Sequence, residues 1–516
     1  MRPFMLLVLA TSLVAGMANA QEERPLRIRL NADIRSLDPG VNRDANTDAL
    51  QSHLFEGLVA FKEDATVGPL LAKSIDVSED GKTYSFVLRD DLRFSNGEPV
   101  SSDDVLFSWK RYTDPATGWR CLSEVDGRGA VKVTGVVAKD ARTVEFTLAK
   151  PSALFLGTLA RPDCGGTGVF HRSSLGPDGK WLAPVTTAPF KLGEWRRGQF
   201  IDLIRNDKYS ALPGTPDGLA GNKSTSLQKL RFTIIPDEST AKAALLSGDI
   251  DINFDIQNAD LAGYKANKAI ILDSASVMNI NDILIQTKDP LLSDVRVRQA
   301  LQLSLDLPVL VDQVSEGTAR PNSSPISPAS GYHQKIQSER PKRDLSTARK
   351  LLADAGYRGQ PIKMITNKRY QNMFDQAVIV QAMAKEAGIN IDLDVLEWGT
   401  QQDRYLSGSY QLMSHGFSAR LDPSLSFEMF SGDKAEQPRK VWDNGEAQKL
   451  LAQSMEIAEP AKRQAIFDKL EAMFRAEVPM IVLYSEVRTS AVRANISGYK
   501  SWAMGQPRAW GVSINR

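Results

Sequence analysis

Apolar and polar positions alternate with period two at Leu26–Leu30, Thr83–Leu88 and Thr143–Leu148, which predicts strands with one buried face. Tyr84, Phe86 and Leu88 share a face in the second run, and Val144, Phe146 and Leu148 in the third. Between the first two, residues 47–58 read as a helix leading into Glu56-Gly57-Leu58. Ser101-Ser102-Asp103-Asp104 opens another helix: Ser101 can cap exposed amides, acids crowd the positive end, and Val105, Leu106 and Trp109 form the buried stripe. Residues 131–148 are β-rich, and the Gly/Pro/Ser-rich stretch 165–189 reads as a lobe boundary or long loops.

The second half is more regularly α/β. Residues 344–355 form a helix with Ala348, Leu351, Leu352 and Ala355 inward, ended by Gly356. Residues 362–365 are a strand, 373–387 a helix closed by Gly388, 389–395 an alternating strand, and 410–415 another. Strand, helix and strand with short turns predict a right-handed βαβ unit. Ligands on such sheets bind outside the carboxyl ends of the strands, at the turns 366–372, 397–402 and 416–423. Two helices (445–458 and 460–477) and a strand (480–484) follow, and the last thirty residues, with Trp502 and Trp510, are expected to return to the N-terminal lobe.

The N-terminus changes the compartment. Arg2, the apolar run 4–14 and Ala18-Asn19-Ala20 form a secretory signal with cleavage after Ala20. The run is too short to span about 30 Å of hydrocarbon, and the cleavage point has no Cys for lipid attachment. A periplasmic location follows. The mature chain is too long for one ordinary core, so two or three lobes are expected. The balance of 63 basic and 62 acidic residues excludes the broad positive field that nucleic-acid binding needs. Cys121 and Cys164 form an even pair in an oxidising compartment, which reads as a disulfide staple; a metal site or nucleophilic thiol would want more His or Cys nearby than His171.

Several segments then carry a family resemblance. Ser36-Leu37-Asp38-Pro39, His53-Leu54-Phe55-Glu56-Gly57-Leu58, the stretch 72–94, and Asn96-Gly97-Glu98-Pro99-Val100 occur in one order. Thr187-Ala188-Pro189-Phe190, Arg205-Asn206-Asp207-Lys208-Tyr209 and Asp294-Val295-Arg296-Val297-Arg298-Gln299-Ala300-Leu301 continue it. The sequence resembles the peptide/nickel-type (family 5, cluster C) periplasmic solute-binding proteins of ABC transporters. The resemblance implies an α/β, two-lobed periplasmic-binding-protein fold, type II-like, with an extra β-rich domain. Lobe I would comprise residues 21–60, 187–276 and 485–516, domain II residues 61–186 with both cysteines, and lobe III residues 277–484. Hinge closure would trap a small ligand, peptide or peptide-like, for delivery to permease subunits in the inner membrane. The expected protein is a monomer that needs no cofactor or metal and contacts no nucleic acid.

Dipeptide-binding relatives place an ammonium-binding acid in a turn that here reads Gly416-Phe417-Ser418-Ala419-Arg420-Leu421-Asp422-Pro423. Arg420 stands at the acid's position. A guanidinium prefers carboxylate or phosphate, so Arg420 is expected to bind an anionic ligand group, unless it pairs with an acid such as Asp422. An opine or phosphorylated compound fits Arg420 at least as well as a peptide. The resemblance also places Lys368 or Arg369 against a ligand carboxylate, with Tyr370 close by. Trp398, Tyr370 and Phe417 offer rigid aromatic faces, and His415 adjoins the turn as a further contact. An exported hydrolase is the competing class. None of His53, His171, His333 and His415 lies in a catalytic motif, and no Gly-x-Ser-x-Gly elbow or His-x-x-x-His pair occurs.

Overall fold

The computed structural model describes residues 24–42, 44–257, 260–417 and 420–515. The expected signal segment lies outside them. Both lobes share one ten-stranded mixed sheet. Its first half joins Leu26–Leu30 in parallel to Lys229–Ile234, with Phe200–Arg205 and Phe190–Arg196 added antiparallel. Its second half runs from Ile391–Val395 through Ile362–Thr366 to Leu412–Phe417, all parallel. The connection from Ile362–Thr366 through helix Gln371–Glu386 to Ile391–Val395 is the βαβ unit the periodicity predicts.

Two long antiparallel strands, Ile270–Ile285 and Met480–Arg493, cross from one half to the other. The first runs unbroken through Val277, where the sequence suggests a lobe boundary, and the second continues well past residue 484. Their register shifts between Ser276 and Ile280, and the extra residues kink the ladder there. The crossing is therefore a bulged two-strand ribbon rather than a loop, because the hydrophobic runs of both lobes lie on one chain segment.

The extra region is a four-stranded antiparallel sheet ordered Ala72–Val77, Thr83–Leu88, Thr143–Leu148 and Val133–Ala138. Tyr84, Phe86, Leu88, Val144, Phe146 and Leu148 all face one core, against helix Ser102–Thr113 through Val105 and Trp109. At that helix's start Asp104 closes the turn back on Ser101, accepting from its backbone N at 2.9 Å and its Oγ at 2.8 Å. The helix predicted over 47–58 is shorter, Ala45–Leu54, with Asp44 as its cap. Cys121 and Cys164 are joined, their Cα atoms 5.7 Å apart. The C-terminal residues Tyr499, Ala509 and Val512 pack into the first lobe's core with Leu26, Ile28 and Leu30. His53 sits in the same lobe; burial pushes its pKa down to about 3, and its Nε2 accepts from the Ala509 backbone N at 3.1 Å. Among the described residues no helix is long and apolar enough to cross a membrane.

Candidate functional site

A cavity of about 1400 Å³ opens between the four-stranded region and the second lobe, in front of the crossing strands. One wall carries Leu154, Gly157, Arg161 and Asp163, from helix Phe155–Ala160 and the short turn that follows it. The opposite wall carries Arg420, Asp422, Leu425, Arg463 and Tyr332, and the back carries Val277, Asn279 and Arg488 from the crossing strands. Both charged and apolar side chains line it, as a site that orients and buries a solute requires.

On the first wall Arg161 grips Asp163 through Nε (3.0 Å) and Nη2 (2.7 Å), and lies 3.3 Å from Glu124. Burial alone would lower the Arg161 pKa, but the hydrogen bonds and charge of Asp163 outweigh it and the net shift is upward. On the opposite wall Asp422 caps helix Pro423–Glu428 by accepting from the Ser424 backbone N at 2.9 Å. Arg463, from helix Pro460–Glu477, donates through Nη2 to both Asp422 oxygens at 2.7 and 2.9 Å and through Nε to the Ser454 carbonyl at 2.9 Å. Here too burial acts to lower the pKa and the Asp422 charge raises it above the ordinary value. Asp422 is thus engaged by Arg463. Tyr332 stacks its ring 5.4 Å beneath the Arg463 guanidinium, and burial raises its phenol pKa.

Of the residues singled out in the sequence, Arg420 lines this cavity, half-buried. Its neighbours Ser418 and Ala419 lie outside the described residues. The others gather elsewhere in the second lobe. Tyr370 and Trp398 meet edge to face with ring centroids 4.8 Å apart, and Tyr370 is 40% exposed. Arg369 lies over the Tyr370 ring and Lys368 over Phe374, both basic heads exposed. Phe417 and His415 point into the lobe, where His415 stacks on Tyr405 and its Nδ1 is 3.7 Å from buried Asp282. A chain of amides connects this region with the cavity's back. Asn372 donates to Asn281 at 2.9 Å, and Asn281 and Asn279 donate to Glu486 at 3.3 and 2.8 Å.

Arg161, Asp163, Tyr332, Arg463 and Arg488 escaped the sequence reading, since they come from four distant segments. Two signals were available. Arg161-Pro162-Asp163 adjoins Cys164, and Arg488 is a charge inside the long apolar strand Met480–Arg493.

Comparison with known proteins agrees with this architecture. Residues 66–437 match the family described as bacterial extracellular solute-binding proteins, family 5 Middle. The periplasmic oligopeptide-binding protein OppA of Escherichia coli (strain K12) is 26% identical over 520 residues, covering 95% of this chain and 92% of its own. Two solved structures share the fold. HbpA2 from Haemophilus parasuis is 23% identical with a TM-score of 0.82, covering 96% of this chain and all of its own. The unliganded open form of MppA, a periplasmic murein tripeptide binding protein, is 21% identical with a TM-score of 0.81, covering 96% and 98%. The chain belongs to family 5 of the bacterial extracellular solute-binding proteins, which capture a small solute for delivery to an ABC importer.

Proposed function

We infer that the solute is a short peptide held between the four-stranded region and the second lobe, in the periplasm, after export and cleavage behind Ala20. The carrying observation is the cavity: at about 1400 Å³ it exceeds the roughly 300–1000 Å³ of small-molecule pockets and suits an extended chain of several residues. Arg161 and Arg463, one on each wall, are each neutralised by an aspartate, so these pairs offer shape and hydrogen bonds rather than net charge. The crossing strands form the back of the cavity, so lobe closure on the solute bends the bulged ribbon. The closed form, a monomer, docks on the permease. The role is binding rather than turnover.

An anionic solute other than a peptide, such as an opine or a phosphorylated compound, is the second reading. It rests on Arg420, a cation lining the cavity where dipeptide-binding relatives carry an acid. Native mass spectrometry of protein purified without refolding separates the two. A bound mass that fragments as a peptide, unchanged on incubation, supports the first reading. A bound opine or phosphate ester supports the second, and shortened peptides would overturn binding without turnover.

A further inference from the structure

Five cations line the cavity: Lys62, Arg161, Arg420, Arg463 and Arg488. Four are engaged within the protein. Arg161 holds Asp163 and Glu124, Arg463 holds Asp422, Lys62 lies 3.9 Å from Asp217, and Arg420 also has a partner. Arg488 differs: among the described residues its guanidinium has neither a hydrogen bond nor an ion pair. The acid nearest along its strand is Glu486, two residues away on the same side, but Glu486 already accepts from Asn279 and Asn281.

The surroundings pack against Arg488 without satisfying it. It pairs across the ladder with Ala275, beside the bulge of the crossing strands. Its side chain lies along Gly505, whose φ of +73° belongs to the left-handed region. A Cβ on that residue would come within 2.5 Å of Nη1 and 3.1 Å of Cδ, so the glycine leaves the space in which the guanidinium lies against this loop. Ala503, Met504 and Gln506 of the same loop line the cavity with it. A half-buried guanidinium lining a cavity wall, with its planar fork unspent, can donate to a carboxylate in bidentate fashion.

We propose that Arg488 anchors the carboxylate of the bound solute, so that the protein selects free acids over neutral analogues. The proposal rests on the peptide reading above. The anchor sits on the crossing strand itself, so the anion also bears directly on the segment that closure bends. Arg420, Arg161 and Arg463 shape the walls, whereas Arg488 supplies the charge that is still available.

Calorimetric titration tests this with alanine peptides of three to five residues, supplied as free acids and as C-terminal amides. The wild-type protein is expected to prefer the acids by roughly 10- to 100-fold, the range of one charge-assisted hydrogen-bond pair. Arg488→Gln should lose that factor for the acids, leave amide affinity unchanged, and so erase the preference. Arg488→Lys should restore part of it, and circular dichroism on each variant checks the fold. An acid-to-amide ratio that survives Arg488→Gln overturns the assignment, as does a wild-type protein that binds both forms equally. A wild-type protein that binds neither form overturns the peptide reading and the assignment that rests on it.

Discussion

The two walls of the cavity meet the same electrostatic demand with different supports. Each presents an arginine clamped by an aspartate, Arg161 on Asp163 and Arg463 on Asp422. Arg161 stands next to the irregular turn Pro162–Thr167, where few repeating hydrogen bonds are available, and the Cys121–Cys164 bond ties that turn to the segment bearing Glu124. Arg463 projects from the first turn of an 18-residue helix and is further held by Ser454, Ser424 and the faces of Tyr332 and Phe467. A covalent tie does for the irregular wall what packing and buried hydrogen bonds do for the helical one.

Removing each support separates the walls. Replacing Cys121 and Cys164 by Ser should destabilise the four-stranded region by about 4 kcal/mol, the loop-entropy value for cysteines 43 residues apart, and leave the second lobe alone. Denaturant titration followed region by region by hydrogen exchange reads this; an equal loss in both regions would break the contrast. Arg463→Ala should cost the second lobe about 3 kcal/mol, because it strips a 5% exposed cation from Asp422 and leaves the acid short of its partner. Arg463→Lys should recover little of it, since one ammonium cannot reproduce the fork.

The helical wall also carries a proton-linked group. Glu471 on the same helix is fully buried, and burial raises its pKa from 4.5 to about 7, against the opposing pull of Ser324 and Arg475. The folded state therefore holds a proton that the unfolded state releases. Its stabilisation is complete below about pH 4.5 and is lost as pH rises through about 7, by up to roughly 3 kcal/mol. Thermal unfolding of the second lobe across this range should slope downward with pH, and Glu471→Gln should flatten it. The smallest effect belongs to Arg161→Ala: its side chain is 26% exposed, so water screens the pair and the loss should stay below about 1 kcal/mol by the same denaturant titration.

Local pattern carried much of the fold. The alternation of Tyr84, Phe86 and Leu88, and of Val144, Phe146 and Leu148, matches buried faces of the four-stranded sheet. The helix Pro460–Glu477 lies where its periodicity puts it. What local pattern could not carry was length and assembly. The strand expected to stop at residue 484 runs to Arg493, because pairing with Ile270–Ile285 overrides the polar residues Ser485, Glu486 and Arg488. Arg420 is legible as a departure from a family turn, and the structure lines the cavity with it. Arg161, Arg463 and Arg488 were not, because their place in one cavity arises only when segments far apart in the chain are brought together by the fold.

Hydrogen–deuterium exchange with and without the same alanine peptides addresses most directly whether the solute lies between the two walls. A peptide held there slows exchange at residues 154–163, 420–425 and 486–489 together. Slowing confined to residues 366–372 and 397–402, around Tyr370 and Trp398, with residues 154–163 unchanged, would contradict it.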